Sequence, residues 1–172
     1  MPNFAKFLAR SALVFLAFGL VHAAHAADAL PAARFVGFMQ EFDDFEIGSS
    51  RMALQKSSNE AIRSFANRMI VDHEEARSVL ARARQEAGVT LAPTPGGLEP
   101  RRAAVLDRLG VLQAAEFDTV YVESQLATHL EVVDQVGAYS QNGDIGSLRS
   151  YAQTMLPKLQ QHLEMAKRLA GR

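Results

Sequence analysis

Three histidines, His73, His129 and His162, are the side chains best suited to chemistry in this chain, together with the carboxylates Glu46 and Asp72. Imidazole nitrogens and carboxylate oxygens are the donors that zinc, copper, iron and manganese take from proteins. A neutral histidine held in a core is also a proton-sensitive group. Other chemistries are excluded by residue type. With no cysteine there is no thiolate site, no disulfide framework and no lipid-bearing N-terminal cysteine. No serine sits in a glycine-flanked elbow and no glycine loop is built to cradle phosphate, so nucleophilic hydrolysis and nucleotide chemistry are not expected.

These groups act together only if the chain brings them together, and the chain reads as helices. Lys6 and Arg10, an apolar run from Ser11 to Val21 and small residues at Ala24 and Ala26 have the pattern of a signal peptide over residues 1–26, with cleavage before Ala27. Its apolar core is about half the roughly 20 residues needed to span a bilayer. The expectation is an exported periplasmic protein with no transmembrane helix once the signal is removed. The whole chain has 18 basic and 19 acidic residues; without Lys6 and Arg10 the balance is 16 to 19, a formal charge of −3. No basic excess points to nucleic acid or to an anionic membrane. The sequence names no protein partner and no oligomeric state.

Large apolar residues recur at helical spacing from Arg34 to Lys56, with Phe35, Phe38, Met39, Phe42, Phe45 and Met52 on the stripe. Ser57-Ser58-Asn59-Glu60 reads as a capping box that starts a second helix, running to Gly88. Residues 89–99 hold two prolines and two glycines and read as a loop. A short helix is expected from Pro100 to near Gly110, and a third long helix from Ala114 to Ser140. Asn142-Gly143-Asp144 reads as a stop, a left-handed turn residue and a start; the last long helix then carries Ile145, Leu148, Ala152, Met155, Leu159, His162, Ala166 and Leu169.

Four such helices bury their stripes only against one another, so residues 34–172 are expected to form one all-α, four-helix bundle after an N-terminal segment at 27–33. The connection from 89 to 113 is long enough to travel the bundle's length. The second and third long helices would then run parallel, the ferritin-like connectivity; an up-down-up-down bundle with an ornate loop is the alternative. Counted down from the end where the first two helices meet, Glu46 is about 11 residues away, Asp43 about 14 and His73 about 15. With the crossover, His129 is about 15 residues from that end and His162 about 8, so the first four share a layer and His162 lies one to two turns above. Pro157, at about 13, is expected to kink the last helix at the same level.

Those residues fit a site for one transition metal, with Glu46, His73 and His129 as ligands, His162 as an outer ligand or hydrogen-bond partner, and Asp72 as a supporting acceptor or a further ligand. They fit equally a polar layer whose members only hydrogen-bond one another. Asp43-Asp44 reads as a solvated pair, and Asp118 with Tyr121 as a local pair near the bundle end.

Phe65-Ala66, Met69-Ile70-Val71-Asp72-His73, Phe117-Asp118-Thr-Val-Tyr121 with His129, and Leu156-Pro157-Lys-Leu159-Gln-Gln-His162-Leu163 together resemble the bacterial family called domain of unknown function 4142, over roughly residues 35–170. The resemblance implies export and a place in the ferritin-like superfamily, and it implies no activity. His73, His129 and His162 match the family pattern, with Asp72 beside the first and Glu46 on the first helix. Di-iron members of that superfamily carry Glu-x-x-His on two helices. Here Ile70, Leu126 and Leu159 stand three before the histidines. Oxidase chemistry at two irons is therefore not expected, and the chain is not read as an enzyme. The expectation is metal handling or envelope stress protection; the alternatives are a structural or interaction module and a bundle that responds to pH.

Overall fold

In the computed structural model, which describes residues 29–90 and 98–171, every regular element is a helix. Five follow in order: α1 Ala32–Lys56, α2 Glu60–Ala87, α3 Pro100–Val111, α4 Ala114–Asn142 and α5 Gly146–Leu169. The expected signal peptide at 1–26, the middle of the 89–99 loop and Arg172 lie outside the described residues. No described helix is long and apolar enough to cross a membrane.

The caps explain where the helices begin and end. Asn59 is the N-cap of α2, its side chain accepting from the amides of Ala61 and Ile62. Ser57 is instead the C-cap of α1, and its hydroxyl accepts from the Asn59 amide. The expected capping box thus starts two residues too early, because Asn at position 59 is better placed than Ser57 to satisfy the free amides of α2. Gly88 ends α2 with φ 64°, the left-handed conformation expected there. Lys56 closes α3 by donating its ammonium to the carbonyls of Leu109, Gly110 and Leu112, a cation at a helix C-terminus.

The turn between α4 and α5 departs from expectation. Gly143 has φ −56° and is not left-handed, and α5 begins at Gly146 after Ile145, not at Asp144. Asp144 accepts from the Tyr139 hydroxyl at 2.7 Å and from the Ala32 amide at 3.3 Å, tying the start of α1 to this turn. Glycine is needed at 143 because a Cβ there would collide with the Tyr139 ring. That ring is fully buried and stacked on Phe35 with centroids 3.8 Å apart, so it has nowhere to go.

Cross-helix contacts fix the directions. Ser50 meets Tyr121 while Phe35 meets Tyr139, so α1 and α4 are antiparallel. Asp72 meets His162 while Ala83 meets Ser147, so α2 and α5 are antiparallel. Asp43 meets His73 while the Leu54 carbonyl meets Arg63 between α1 and α2, also antiparallel. It follows that α2 and α4 run parallel on one diagonal: the long crossover is present, and the up-down-up-down alternative is ruled out. The crossover returns through α3, which packs over α1 and α4, with Arg102 over the Phe38 ring and Leu109 fully buried.

Pro157 lies within an α5 that continues unbroken to Leu169. Pro157 and Gln153, whose carbonyl loses its helical partner, are both exposed residues of α5. The apolar core falls into two clusters. One surrounds Phe35, Met39, Leu80, Val136, Tyr139 and Leu148, and the other surrounds Phe65, Met69, Leu109, Phe117, Tyr121 and Ala166. Between them lies a buried polar layer.

Gly143→Ala is expected to lower folding stability by about 2–3 kcal/mol through the clash with Tyr139, and Gly88→Ala by about 1 kcal/mol through its left-handed φ. Urea denaturation of both variants checks the order; equal losses would mean that the Tyr139 ring yields.

Candidate metal centre

The polar layer is built by all four long helices. Helix α2 supplies Asp72 and His73, α4 supplies Gln125, Thr128 and His129, α5 supplies His162, and α1 supplies Asp43, Glu46, Ser49 and Ser50; all are buried. His73, His129 and His162 each offer one ring nitrogen, and these three atoms lie within 4.8 Å of one another. The ring centroids are 6.2 Å apart for His73 and His129, and 5.5 Å for each of the other two pairs.

His162 therefore belongs to the same layer, not to one above it. Side chains on a helix lean toward its N-terminus. On antiparallel α2 and α5, His73 and His162 lean toward each other, which closes the gap that residue counting leaves open.

The outer ring nitrogens are all engaged. His129 Nδ1 donates to the Gln125 carbonyl at 2.8 Å. His73 Nδ1 pairs with Asp43 Oδ1 at 2.8 Å, and His162 Nε2 pairs with Asp72 Oδ2 at 2.8 Å. The inner nitrogens, His73 Nε2, His129 Nε2 and His162 Nδ1, are buried and have no hydrogen-bond partner among the described residues. Phe42 sets its edge against His73 and His129, and Phe65 lies beside His129, so the walls are apolar where they are not ligating.

Glu46 and Asp72 touch the triad from outside. Glu46 Oε1 accepts from Thr128 Oγ1 at 3.0 Å and lies 3.9 Å from His129 Nδ1, the nitrogen turned away from the cluster. Asp72 also accepts from Arg68 and lies 3.7 Å from Lys158 Nζ. The reading of Asp43-Asp44 as a solvated pair is corrected: Asp43 is fully buried on His73, while Asp44 is exposed and pairs with Arg77. Asp43 lies four residues after Met39 and three before Glu46, so helical spacing already turns it inward; its exposed neighbour obscured that signal. Tyr121 reaches across to Ser50 at 2.9 Å and makes no local pair with Asp118. Tyr151, Gln125 and Thr128 were not singled out from the sequence. Tyr151 sits four residues before Met155 on the inward stripe, the spacing that marks it.

Burial governs the charges. It pushes His73 below its ordinary value, and His129 well below, with His73 and His162 as like-charge neighbours acting in the same direction. His162 is lowered by burial to about 4 even though Asp72 opposes the shift. Burial raises Asp43 well above the carboxylate range against the pull of Arg77. It raises Glu46 to about 7 despite His73 and the bonds from Thr128 and Gln125. For Asp72 burial acts upward too, but the bonds from Arg68 and His162 prevail and the group is held low. The arrangement is three buried imidazoles held neutral, whose unpartnered inner nitrogens converge, ringed by acidic groups.

The chain belongs to the family described as domain of unknown function (DUF4142), whose model matches residues 20–169. Among solved structures it is similar to CopM in the Cu(II)-bound form, with TM-score 0.68 and 17% sequence identity, covering 81% of this chain and 95% of that one. At that identity the likeness shows the helical fold. The search of the curated proteins finds no match.

In metal-free protein the buried groups oppose one another as pH changes. The histidines, with folded values below 6.5, contribute stability that is full above that pH and is lost as pH falls toward 4. Glu46, raised from 4.5 to about 7, contributes stability that is full below 4.5 and is lost as pH rises through 7; Asp43 acts in the same sense. Three histidines outweigh two acids, so stability should fall on acidification from pH 6.5 to 4. Glu46→Gln should steepen the fall between pH 5 and 6.5 by up to about 1.4 kcal/mol per pH unit. Urea melts at stepped pH check this, and an unchanged slope would mean that Glu46 is ionised in the fold.

Proposed function

We propose that this member of the DUF4142 family binds one transition-metal ion through His73, His129 and His162, and serves metal handling or envelope stress protection after export. The observation that carries the reading is the set of three inner nitrogens, buried within 4.8 Å of one another without partners. A layer built only for hydrogen bonding would pair them, since a buried polar atom left without a partner costs about 1–3 kcal/mol. A cation accepts all three lone pairs at once.

The outer contacts fit the same role. Metal-bound histidines donate their second ring nitrogen to a carboxylate or a backbone carbonyl, which fixes the tautomer and raises ligand basicity. Asp43, Gln125 and Asp72 occupy those positions. Asp43 and Glu46 become carboxylates when an ion binds and offset its charge. Glu46, placed next to His129 and not among the converging nitrogens, acts here as that charge and not as a ligand.

Neutral imidazoles suit copper and zinc better than manganese, which prefers oxygen. The Cu(II)-bound form of the structurally similar CopM supports testing copper first. No carboxylate stands at the Glu-x-x-His positions, which supports binding over two-iron oxidation.

Calorimetric titration of chelator-stripped protein with Cu(II) and Zn(II) should give one ion per chain. His73→Ala, His129→Ala and His162→Ala should each abolish it, and Asp72→Asn should weaken it about 10- to 100-fold. Saturation at 100 times Kd should add about 2.7 kcal/mol to stability. Binding that survives loss of any one histidine would overturn the three-ligand site. No binding beyond that of a surface histidine would leave a structural or interaction module.

A further inference from the structure

A cavity of about 10 Å³ borders the triad on the side facing α1 and the first half of α5. That volume is room for about one water molecule. His73 and His162 line it together with Asp43, Asp72, Tyr151 and Lys158, and the thioethers of Met39 and Met155 border it, whereas His129 does not reach it. Four polar atoms of these lining residues are buried without a hydrogen-bond partner among the described residues: the Tyr151 hydroxyl, Asp43 Oδ2, His73 Nε2 and His162 Nδ1. Tyr151 is only 3% exposed and Asp43 not at all, so bulk water does not satisfy them.

A buried water needs two to four polar partners and a cavity of this size, and here both conditions meet beside two of the three ligating rings. Three-histidine centres keep a further coordination position for a small ligand. We infer that the cavity holds an exchangeable water ligand of the bound metal, with Tyr151 donating to its oxygen and Asp43 Oδ2 accepting from its O–H. This rests on the metal reading above and adds an open coordination position to it. Tyr151 is a positioning residue: it touches the metal's ligand and not the metal. The thioethers of Met39 and Met155 border the same space and are the competing donors for that position.

The test uses Cu(II), which binds nitrogen sites most tightly among the divalent first-row ions, and fluoride, a single atom about the size of a water molecule, as the probe that replaces the ligand. Cu(II)-loaded protein should bind one fluoride per chain, read as a fluorine splitting in the copper electron spin resonance spectrum. Tyr151→Phe, which keeps the ring and removes only the hydroxyl, should still take up one Cu(II) per chain and bind fluoride about five- to tenfold more weakly. Copper bound at one per chain with a spectrum indifferent to fluoride would mean that protein donors fill every position; the inference would fail while the metal site stood. A fluoride Kd unchanged in Tyr151→Phe would place the ligand away from the cavity and also overturn it. Failure to bind Cu(II) at all would overturn both readings, and calorimetry distinguishes that case from the first.

Discussion

Three buried imidazoles whose inner nitrogens converge without partners among the described residues are the constraint that the rest of the core accommodates. Each outer nitrogen is engaged, and the His129–Gln125 bond in particular fixes a proton on Nδ1, because a carbonyl can only accept. The inner nitrogens then have no donor to meet. Left so, each carries a cost of about 1–3 kcal/mol, in a domain whose whole stability is about 5–15 kcal/mol. A fold keeps such a defect where something offsets it, and on the reading proposed above a metal ion is that partner.

The rest of the molecule makes that layer tolerable. The apolar core is divided into two clusters, with Phe35 on Tyr139 and Leu148 in one, and Phe65, Phe117 and Tyr121 in the other. Each is closed and densely aromatic, so helix register is set above and below the layer independently of it. Hydrogen bonds from Ser50 to Tyr121 and from Gln125 to Ser49 then carry polar pairing outward from the histidines toward the second cluster. The layer is held by packing on both sides and is not itself the source of the bundle's cohesion.

Division of labour among the helices follows from connectivity. With α2 and α4 parallel on a diagonal, the histidines come from α2, α4 and α5, while α1 contributes carboxylates and the Phe42 wall. His129 sits at the middle of α4, so its height along the bundle depends little on the direction of that helix. The long return through α3 is anchored by Lys56 at its C-terminus and by Arg102 against Phe38. The similarity to the Cu(II)-bound structure shows that this helical fold recurs at 17% identity.

The sequence alone determined the all-α class, the five helices to within a few residues, Gly88 as a C-terminal stop, and His73 and His162 on the inward stripes of their helices. These are local properties: apolar spacing of three and four residues, and the backbone freedom of glycine, act within one or two turns. Tertiary structure alone decided that all three histidines meet, since counting along separate helices left His162 one to two turns away and only antiparallel lean closed the gap. It also decided that Asp43 pairs with His73, that Tyr121 pairs with Ser50, and that Gly143 is required by the Tyr139 ring and not by its own φ. Each of those depends on an atom supplied by a distant part of the chain, and no local pattern encodes where that atom will be.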